Sequence, residues 1–444
     1  MSGLPSLECR VASLVHAHFE ALPQRSKPTI HGNGLREWIP LSGIVLVTDE
    51  NTPEETLTCV AVATGAKCLS SSQIPQCRGL VLHDSHAEIL ALRAFNHWLL
   101  EECKSALTHC KEKHVEGPCV SQPDSRLPAD DGLPTCSGSG FLQWNMEAHE
   151  NCEMLGGDGP SKHDKLQPRL LWPPFQIKTG VEIWMYCSCA PCGDASMELC
   201  MAAQEDATPW ELPIAELENR ESSTGSPQEL LNGRAHFSIL GAVRRKPSRA
   251  DAESTLSKSC SDKLALKQVT SILSFPTSLL IAPNSNAYIS NIILPGDELN
   301  RVGCDRSFGD GETGRMRSLR NRQWLATPAV CGGFRFRPFT LNSLPMEVFE
   351  AMWKYGKPTG TSPEGKVKTG NVSAVWTAPP SYSALPPFST NGIEAPCLSD
   401  PEWHKTYFKT VPTNLNETLI NGVKQGYRLK SPGFKKASAL SRAR

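Results

Sequence analysis

Two short, nearly unbroken apolar runs, GIVLVTD at 43–49 and TCVAVATG at 58–65, open the readable part of the chain and predict β-strands. The apolar Leu80, Val81 and Leu82 then lead into DSHAE at 84–88. After it, Ile89, Leu92, Phe95, Trp98 and Leu99 recur at helical spacing, which predicts a helix from about 85 to 103, capped by Asp84 or Ser85. From 104 to 178 the pattern dissolves into Gly, Pro, Ser and charged residues, as in LPADDGLPTCSGSG, and predicts a long, loose insertion. Order returns with VEIWMYC at 181–187, a strand, and with a helix from Pro191 to Gln204 whose proline suits a first turn. A second loose stretch, 205–232, precedes a helix over 261–274 and apolar strand-like runs at 279–282 and 288–294. No internal repeat is visible and no linker separates folded halves, so residues 1–444 are read as one α/β domain carrying insertions.

Composition narrows the class only a little. A hydrophobic content of 39% with 20% charged residues is that of a soluble globular protein, and no apolar run approaches the length of a membrane span. The first residues, MSGLPSLECRVASLVHAHF, carry charges within their apolar part and lack a signal-peptide layout, which predicts an intracellular protein of the cytoplasm or nucleus. The 17 cysteines are odd in number and scattered, so reduced thiols are expected. A net charge of −1 gives no direct sign of nucleic acid. Its distribution says more: RRKPSR at 244–249, the arginine-rich run from Arg301 to Arg337, and the basic residues from Lys424 to Arg444. Any one cluster could be a solvated face, whereas three together favour a polyanionic partner.

Candidate chemistry gathers at two places. His86 and Glu88 stand two apart at the start of a helix, so one can ligate a metal while the other reaches a water on it. In YCSCAPCGDAS at 186–196, Cys192 follows Pro191 at a predicted helix start, where the helix dipole favours a thiolate. His-x-Glu followed by Pro-Cys is the signature of zinc nucleobase deaminases. Each half is common by chance; their placement on two helices, each after a β-run, makes the pair informative. The usual third ligand, three residues after the first cysteine, is here Ala195. Cys189 offers a Cys-x-x-Cys with Cys192, so a closed structural site using Cys187, Cys189 and Cys192 remains open at this level.

DSHAE at 84–88, APCGDAS at 190–196 and SCSDK at 259–263, in this order, closely resemble the adenosine deaminase domain of the double-stranded-RNA editors. VAVATGAKC at 60–68 and NVSAVWT at 371–377 extend the likeness from about residue 40 to the end. The resemblance implies a cytidine-deaminase-like core, a mixed central sheet flanked by helices, enlarged by insertions and a C-terminal extension with a basic part at 400–444. It also implies zinc held by His86, Cys192 and Cys260, with Glu88 as proton shuttle. RRKPSRAD at 244–251 looks most like the branch of the family that deaminates adenosine 37 beside the anticodon of tRNA(Ala). The forty residues before the core leave no room for a double-stranded-RNA-binding domain.

The same resemblance implies a buried inositol hexakisphosphate, with Arg93, Lys263, Lys368 and Lys424 at ligand positions. Asp84 and Lys263 would link it to the zinc site. Leu92 and Leu266 stand where the RNA editors have arginines, so the ligand set is altered. The family usually continues into a Trp-x-Glu-Lys segment that helps enclose the phosphate, whereas this sequence stops at Ser441–Arg444; either it is cut short or closure differs. Lys67, Arg244, Lys246 and Arg249 are the expected RNA contacts. The expected partner is a tRNA anticodon arm, with no membrane, no DNA and no obligate protein partner. The rival readings are a deaminase of other structured RNA, a cytidine deaminase, and a non-enzymatic zinc-containing RNA-binding module.

Overall fold

In the computed structural model the run at 43–49 is the middle of strand β1 (Leu41–Thr48), and β2 (Thr56–Thr64) pairs with it antiparallel from Leu41↔Thr64 to Thr48↔Thr56. The residues described are 5–30, 36–115, 140–146, 170–203, 231–232, 239–246, 253–324, 334–357, 368–381, 414–427 and 433–442.

β1 reads as an unbroken apolar run because both of its faces are covered. Ile44 and Leu46 face one core with helix α2 (Ala87–Val115), whereas Leu41, Val45 and Val47 face a second core with helix α1 (Leu7–Glu20). On its other edge β1 pairs antiparallel with the Val181–Cys187 strand, from Ser42↔Cys187 to Thr48↔Val181. The Ile289–Pro295 and Thr340–Leu344 strands continue that side in parallel. Beyond β2 the Val372–Thr377, Asn416–Ile420 and Val423–Lys424 strands complete an eight-stranded mixed sheet. The fold class is therefore the expected one, a mixed sheet between helices.

α2 is the main brace. Leu90, Phe95, Trp98 and Leu99 are at most 1% exposed, and burial of such side chains stabilises by about 1.5–3 kcal/mol each. On the opposite face α1 lays Val11, Val15 and Phe19 against the sheet, and Ser6 caps it by accepting the Cys9 N–H.

Several boundaries differ from expectation. α2 begins at Ala87 rather than 85, because Asp84–His86 form a short strand, β4, paired antiparallel with β3 (Ala66–Cys68). Asp84 accepts the N–H of His86 and belongs to that strand, so it is not a helix cap. α2 also runs past 103 to Val115, and the Leu142–Met146 and Leu170–Ile177 strands pair with each other inside the stretch read as a loose insertion. The hairpin is held by Trp144 stacked on Phe175 at 4.7 Å, a contact between residues too far apart in sequence to show as a pattern. The second expected loose stretch, 205–232, lies outside the described residues except for Leu231–Asn232. The helix expected from Pro191 is a single turn over Asp194–Ser196 followed by a six-residue helix, Met197–Ala202. The run at 279–282 is no strand; it is a turn with one bridge from Ile281 to Phe175.

Candidate active site and metal centre

Three separate segments meet at one end of the sheet. β2 is followed directly by Gly65, whose φ of +151° and close approach to the Ser85 carbonyl and Ser373 hydroxyl leave no space for a Cβ. That approach lets β3 turn back along β4, setting Cys68 opposite Asp84 and Ala66 opposite His86. The Gly65 carbonyl then accepts the N–H of Ala87, fixing the start of α2 and placing Glu88 in its first turn.

The second segment is the turn after the Val181–Cys187 strand. Gly193, at φ +111°, lies against Ser259 so closely that a side chain there would collide with it. Ser259 in turn caps the Cys260–Thr270 helix by accepting the Asp262 N–H at 3.1 Å, and its hydroxyl donates to Asp262 Oδ2 at 2.6 Å. The Cys260 N–H points at Cys192 Sγ, 3.4 Å away. Thus Cys260, and not Cys192, is the cysteine that begins an extended helix.

His86 Nδ1 lies 3.7 Å from Cys192 Sγ and 3.6 Å from Cys260 Sγ. Zinc–sulfur and zinc–nitrogen bonds of about 2.3 and 2.0–2.1 Å at tetrahedral angles give an N···S edge of about 3.6 Å. Three converging soft donors with that spacing fit a zinc ion. A second metal-capable group, Cys68, Asp84 and His86, shares the histidine. Cys187 and Cys189 belong to neither; burial pushes both thiols up, as expected of inert core cysteines. The closed site built from YCSCAPC therefore has no counterpart among the described residues.

Charge at this centre is finely divided. The bond from Cys260, helped by Lys246 and His86, outweighs burial and holds the Cys192 thiol well below its usual range. Burial and the bond it donates keep the proton on Cys260. Glu88 is 4% exposed and its Oε2 has no hydrogen-bond partner. Burial raises its pKa, only partly offset by His86, which suits a group that must both accept and release a proton.

Behind the donors stands a carboxylate that the sequence assigned to a cofactor link. Asp84 accepts both contacts of Lys246 Nζ, at 3.0 and 2.9 Å, together with a bond from Lys263 Nζ and one from Cys68 Sγ at 3.4 Å. Burial alone would raise the Asp84 pKa; Lys246, His86 and Lys263 overcome it and hold the group ionised. Lys246 Nζ also lies 3.1 Å from Cys260 Sγ.

The expected RNA contacts need correction at this point. Lys246 is 3% exposed and neutralises Asp84, so it cannot present its ammonium to a phosphate in solvent. Arg244 is fully buried, its N–H donating to Asp262 and its guanidinium to the Ile239 carbonyl. Of the other two, Lys67 is half-buried on β3, and Arg249 lies outside the described residues. Adjacent basic residues in sequence do not share one surface here: Arg244 and Lys246, two apart, are buried, whereas Arg245 between them is not.

The four expected inositol phosphate ligands also divide. Arg93, directed to the Leu440 carbonyl, and Lys263 both adjoin Asp84, and Arg442 is close enough to act on Arg93 and His83. This concentration of cations around one carboxylate fits a polyanion in part. Lys424 is instead paired with Glu417 at 2.9 Å, and Lys368 is exposed, with its carbonyl accepting the Trp38 N–H. None of the described hydrogen bonds or ion pairs joins these two to Arg93 or Lys263. Sequence reasoning missed Cys68 and the inward role of Lys246; the pairing of β3 with β4 would have signalled the first.

Among the described residues no helix is long and apolar enough to cross a membrane. Residues 61–125 and 168–328, which include every residue of this centre, match the family described as the adenosine-deaminase (editase) domain. The tRNA-specific adenosine deaminase 1 of Schizosaccharomyces pombe is 35% identical over 332 residues, 74% of this chain and 66% of that protein. The protein of the same name from Saccharomyces cerevisiae is 29% identical over 265 residues, 59% of this chain and 52% of its own length. The double-stranded RNA-specific editase Adar of Drosophila melanogaster is 24% identical over 273 residues, 60% of this chain and 31% of that protein. The chain thus spans just under two thirds of the first relative and about half of the second. With the match centred on the converging His86, Glu88, Cys192 and Cys260, the chain belongs to the adenosine-deaminase (editase) domain family.

Proposed function

We propose that this protein is a zinc-dependent adenosine deaminase of tRNA, converting adenosine to inosine by hydrolysis, with adenosine 37 of tRNA(Ala) as its target. The observation that carries the reading is the buried carboxylate of Glu88, its Oε2 without a hydrogen-bond partner, beside the trio His86, Cys192 and Cys260. The names of the two yeast relatives, both tRNA-specific adenosine deaminases, support tRNA as the substrate.

Zinc, held by His86, Cys192 and Cys260, would supply Lewis-acid activation of the attacking water. The chain's own part is proton movement and exclusion. Glu88 takes a proton as water adds to C6 of adenine, then delivers a proton to the departing amino group, so that adenosine and water give inosine and ammonia. Its burial raises its pKa and so favours the protonated carboxyl, which the second half of that sequence requires. Lys246 and Asp84 fix Cys260 and the β4 backbone that carries His86. An adenine must leave its stack to reach such a pocket, which costs less in a single-stranded loop than in a duplex.

An inositol hexakisphosphate beside Arg93, Lys263 and Arg442 is the proposed reading of the second cation group, with Lys368 and Lys424 outside it. It would be structural, its phosphates balancing cations that Asp84 alone does not.

Incubating the purified protein with total tRNA and mapping inosine by sequencing tests activity, base and position together. Glu88→Ala is expected to retain zinc and tRNA binding while inosine formation falls by about 10²-fold or more. Undiminished deamination by that variant would remove Glu88 from the mechanism. Zinc and RNA binding with no inosine in the wild type would favour the binding-module reading, and inosine confined to other RNAs would move the substrate.

A further inference from the structure

The arginine-rich run from 301 to 337 is not one surface. Arg306 is taken up by Asp194 at 3.0 Å and by Glu198, and Arg315 reaches Asp262 at 2.6 Å, so both serve the interior. Arg320, Arg322 and Arg335, with Asp310, Asn321, Phe336 and Pro338, line a cavity of about 420 Å³. Arg320 is held by Asp310 at 3.0 Å, whereas Arg322 and Arg335 are exposed and have no acidic partner among the described residues. Arg337 stacks over Tyr288 at 5.6 Å, and its Nε is buried without a hydrogen-bond partner. Burial, and after it the neighbouring Arg335, push its pKa down, with Tyr288 opposing them in part.

We propose that this cavity is a second anchoring site for the phosphodiester backbone of the substrate RNA, separate from the metal-centred pocket. The inference rests on the RNA-deaminase reading above. Guanidinium groups present paired donors that match phosphate oxygens, and an unneutralised group of them is stable only where solvent or an anion answers its charge. The position is fixed relative to the chemistry. The Arg337 N–H donates to the Gln268 carbonyl at 2.8 Å, and the Phe339 N–H donates to the Gln268 side chain at 3.2 Å. Gln268 and Cys260 lie on one helix, Cys260–Thr270, and their separation along its axis is about 12 Å at 1.5 Å per residue. An RNA placing one base at Glu88 could therefore lay a more distant part of its backbone in the cavity. The arginines would then contribute affinity and register, with no part in proton transfer.

The test is the double variant R322A/R335A, compared with wild type for tRNA affinity across 50–200 mM salt and for deamination kinetics. Expected are a loss of affinity on the order of tenfold, a rise in KM with kcat unchanged, and a fall of about 1.4–1.8 in the slope of log affinity against log salt. The slope change is the readout that mere structural damage would not produce. R322K/R335K, which keeps both charges, should return the slope towards wild type. Wild-type slope, affinity and KM in R322A/R335A would overturn the site while leaving the deaminase reading intact. Tripolyphosphate raising the Tm of wild type but not of R322A/R335A, with tRNA affinity equal in both, would instead assign the cavity to a small free phosphate ester. A wild type that binds tRNA but makes no inosine would remove the enzymatic reading, and the salt slopes would still decide the site.

Discussion

The His86–Cys192–Cys260 site and the arginine cavity place cations in opposite settings. In the first, Lys246 is almost wholly buried and makes three contacts, two to Asp84 and one to Cys260. In the second, Arg322 and Arg335 are exposed, and Asp310, the acid that lines the same cavity, is paired with Arg320. The difference follows from desolvation. A buried charge must be matched by partners inside the protein, whereas an exposed one can wait for a partner from outside. The buried set therefore determines stability and chemistry, and the exposed set is free to determine recognition.

That contrast can be broken in order of expected effect. Cys260→Ala should lose bound zinc and with it all deamination, while Cys187→Ala keeps its zinc; metal analysis of the purified variants decides this. Equal zinc in wild type and Cys260→Ala would mean that the ligands are wrongly chosen. Lys246→Met should cost about 3–5 kcal/mol, because Asp84 would keep its charge in the interior after losing the largest of the cationic contributions that answer it, with His86 and Lys263 left. Denaturant unfolding measures that loss, and a change below about 1 kcal/mol would show the pair to be better solvated than its burial implies.

A buried carboxylate denied a cation should behave the other way. Glu102 is bonded by the Ser381 N–H and hydroxyl at 2.6 and 2.7 Å, and burial raises its pKa to about 7. The folded state then holds its proton more tightly than the unfolded chain, so the stabilising contribution is complete below about pH 4.5 and is lost as pH rises towards 7. Thermal unfolding from pH 4.5 to 7.5 should show this decline in wild type, with a shallower one in Glu102→Gln. Parallel curves would show the carboxyl to be ionised throughout. The smallest effect belongs to the exposed half: Arg335→Ala should change stability by no more than about 0.5 kcal/mol, whatever it does to RNA affinity. A larger loss in the denaturation midpoint would give Arg335 a structural role.

The comparison also bears on what could be read in advance. β1, β2 and the helix of Ile89, Leu92 and Phe95 were legible because each is a local pattern with its own period. The hairpin of Leu142–Met146 with Leu170–Ile177 was not, since its partners are separated by a long polar stretch and its stability comes from packing. His86, Glu88 and Cys192 could be nominated from residue type and spacing. Cys260 could not, because nothing local distinguishes it from the other cysteines; only the motif resemblance pointed to it. The cluster at 244–249 misled for a related reason. Residue charge is written in the sequence, but the direction in which Arg244 and Lys246 point depends on strands and helices contributed from elsewhere.

By itself, then, the sequence determined the alternation of strands and helices, the donor types available for a metal, and the carboxylate available for proton transfer. Those properties are set by side-chain chemistry and short-range periodicity. The tertiary structure decided which thiols meet His86, which carboxylate Lys246 neutralises, and which arginines are left facing solvent. These are matters of distance between segments up to 174 residues apart, and the energy of a charge depends on those distances and on the water excluded around it.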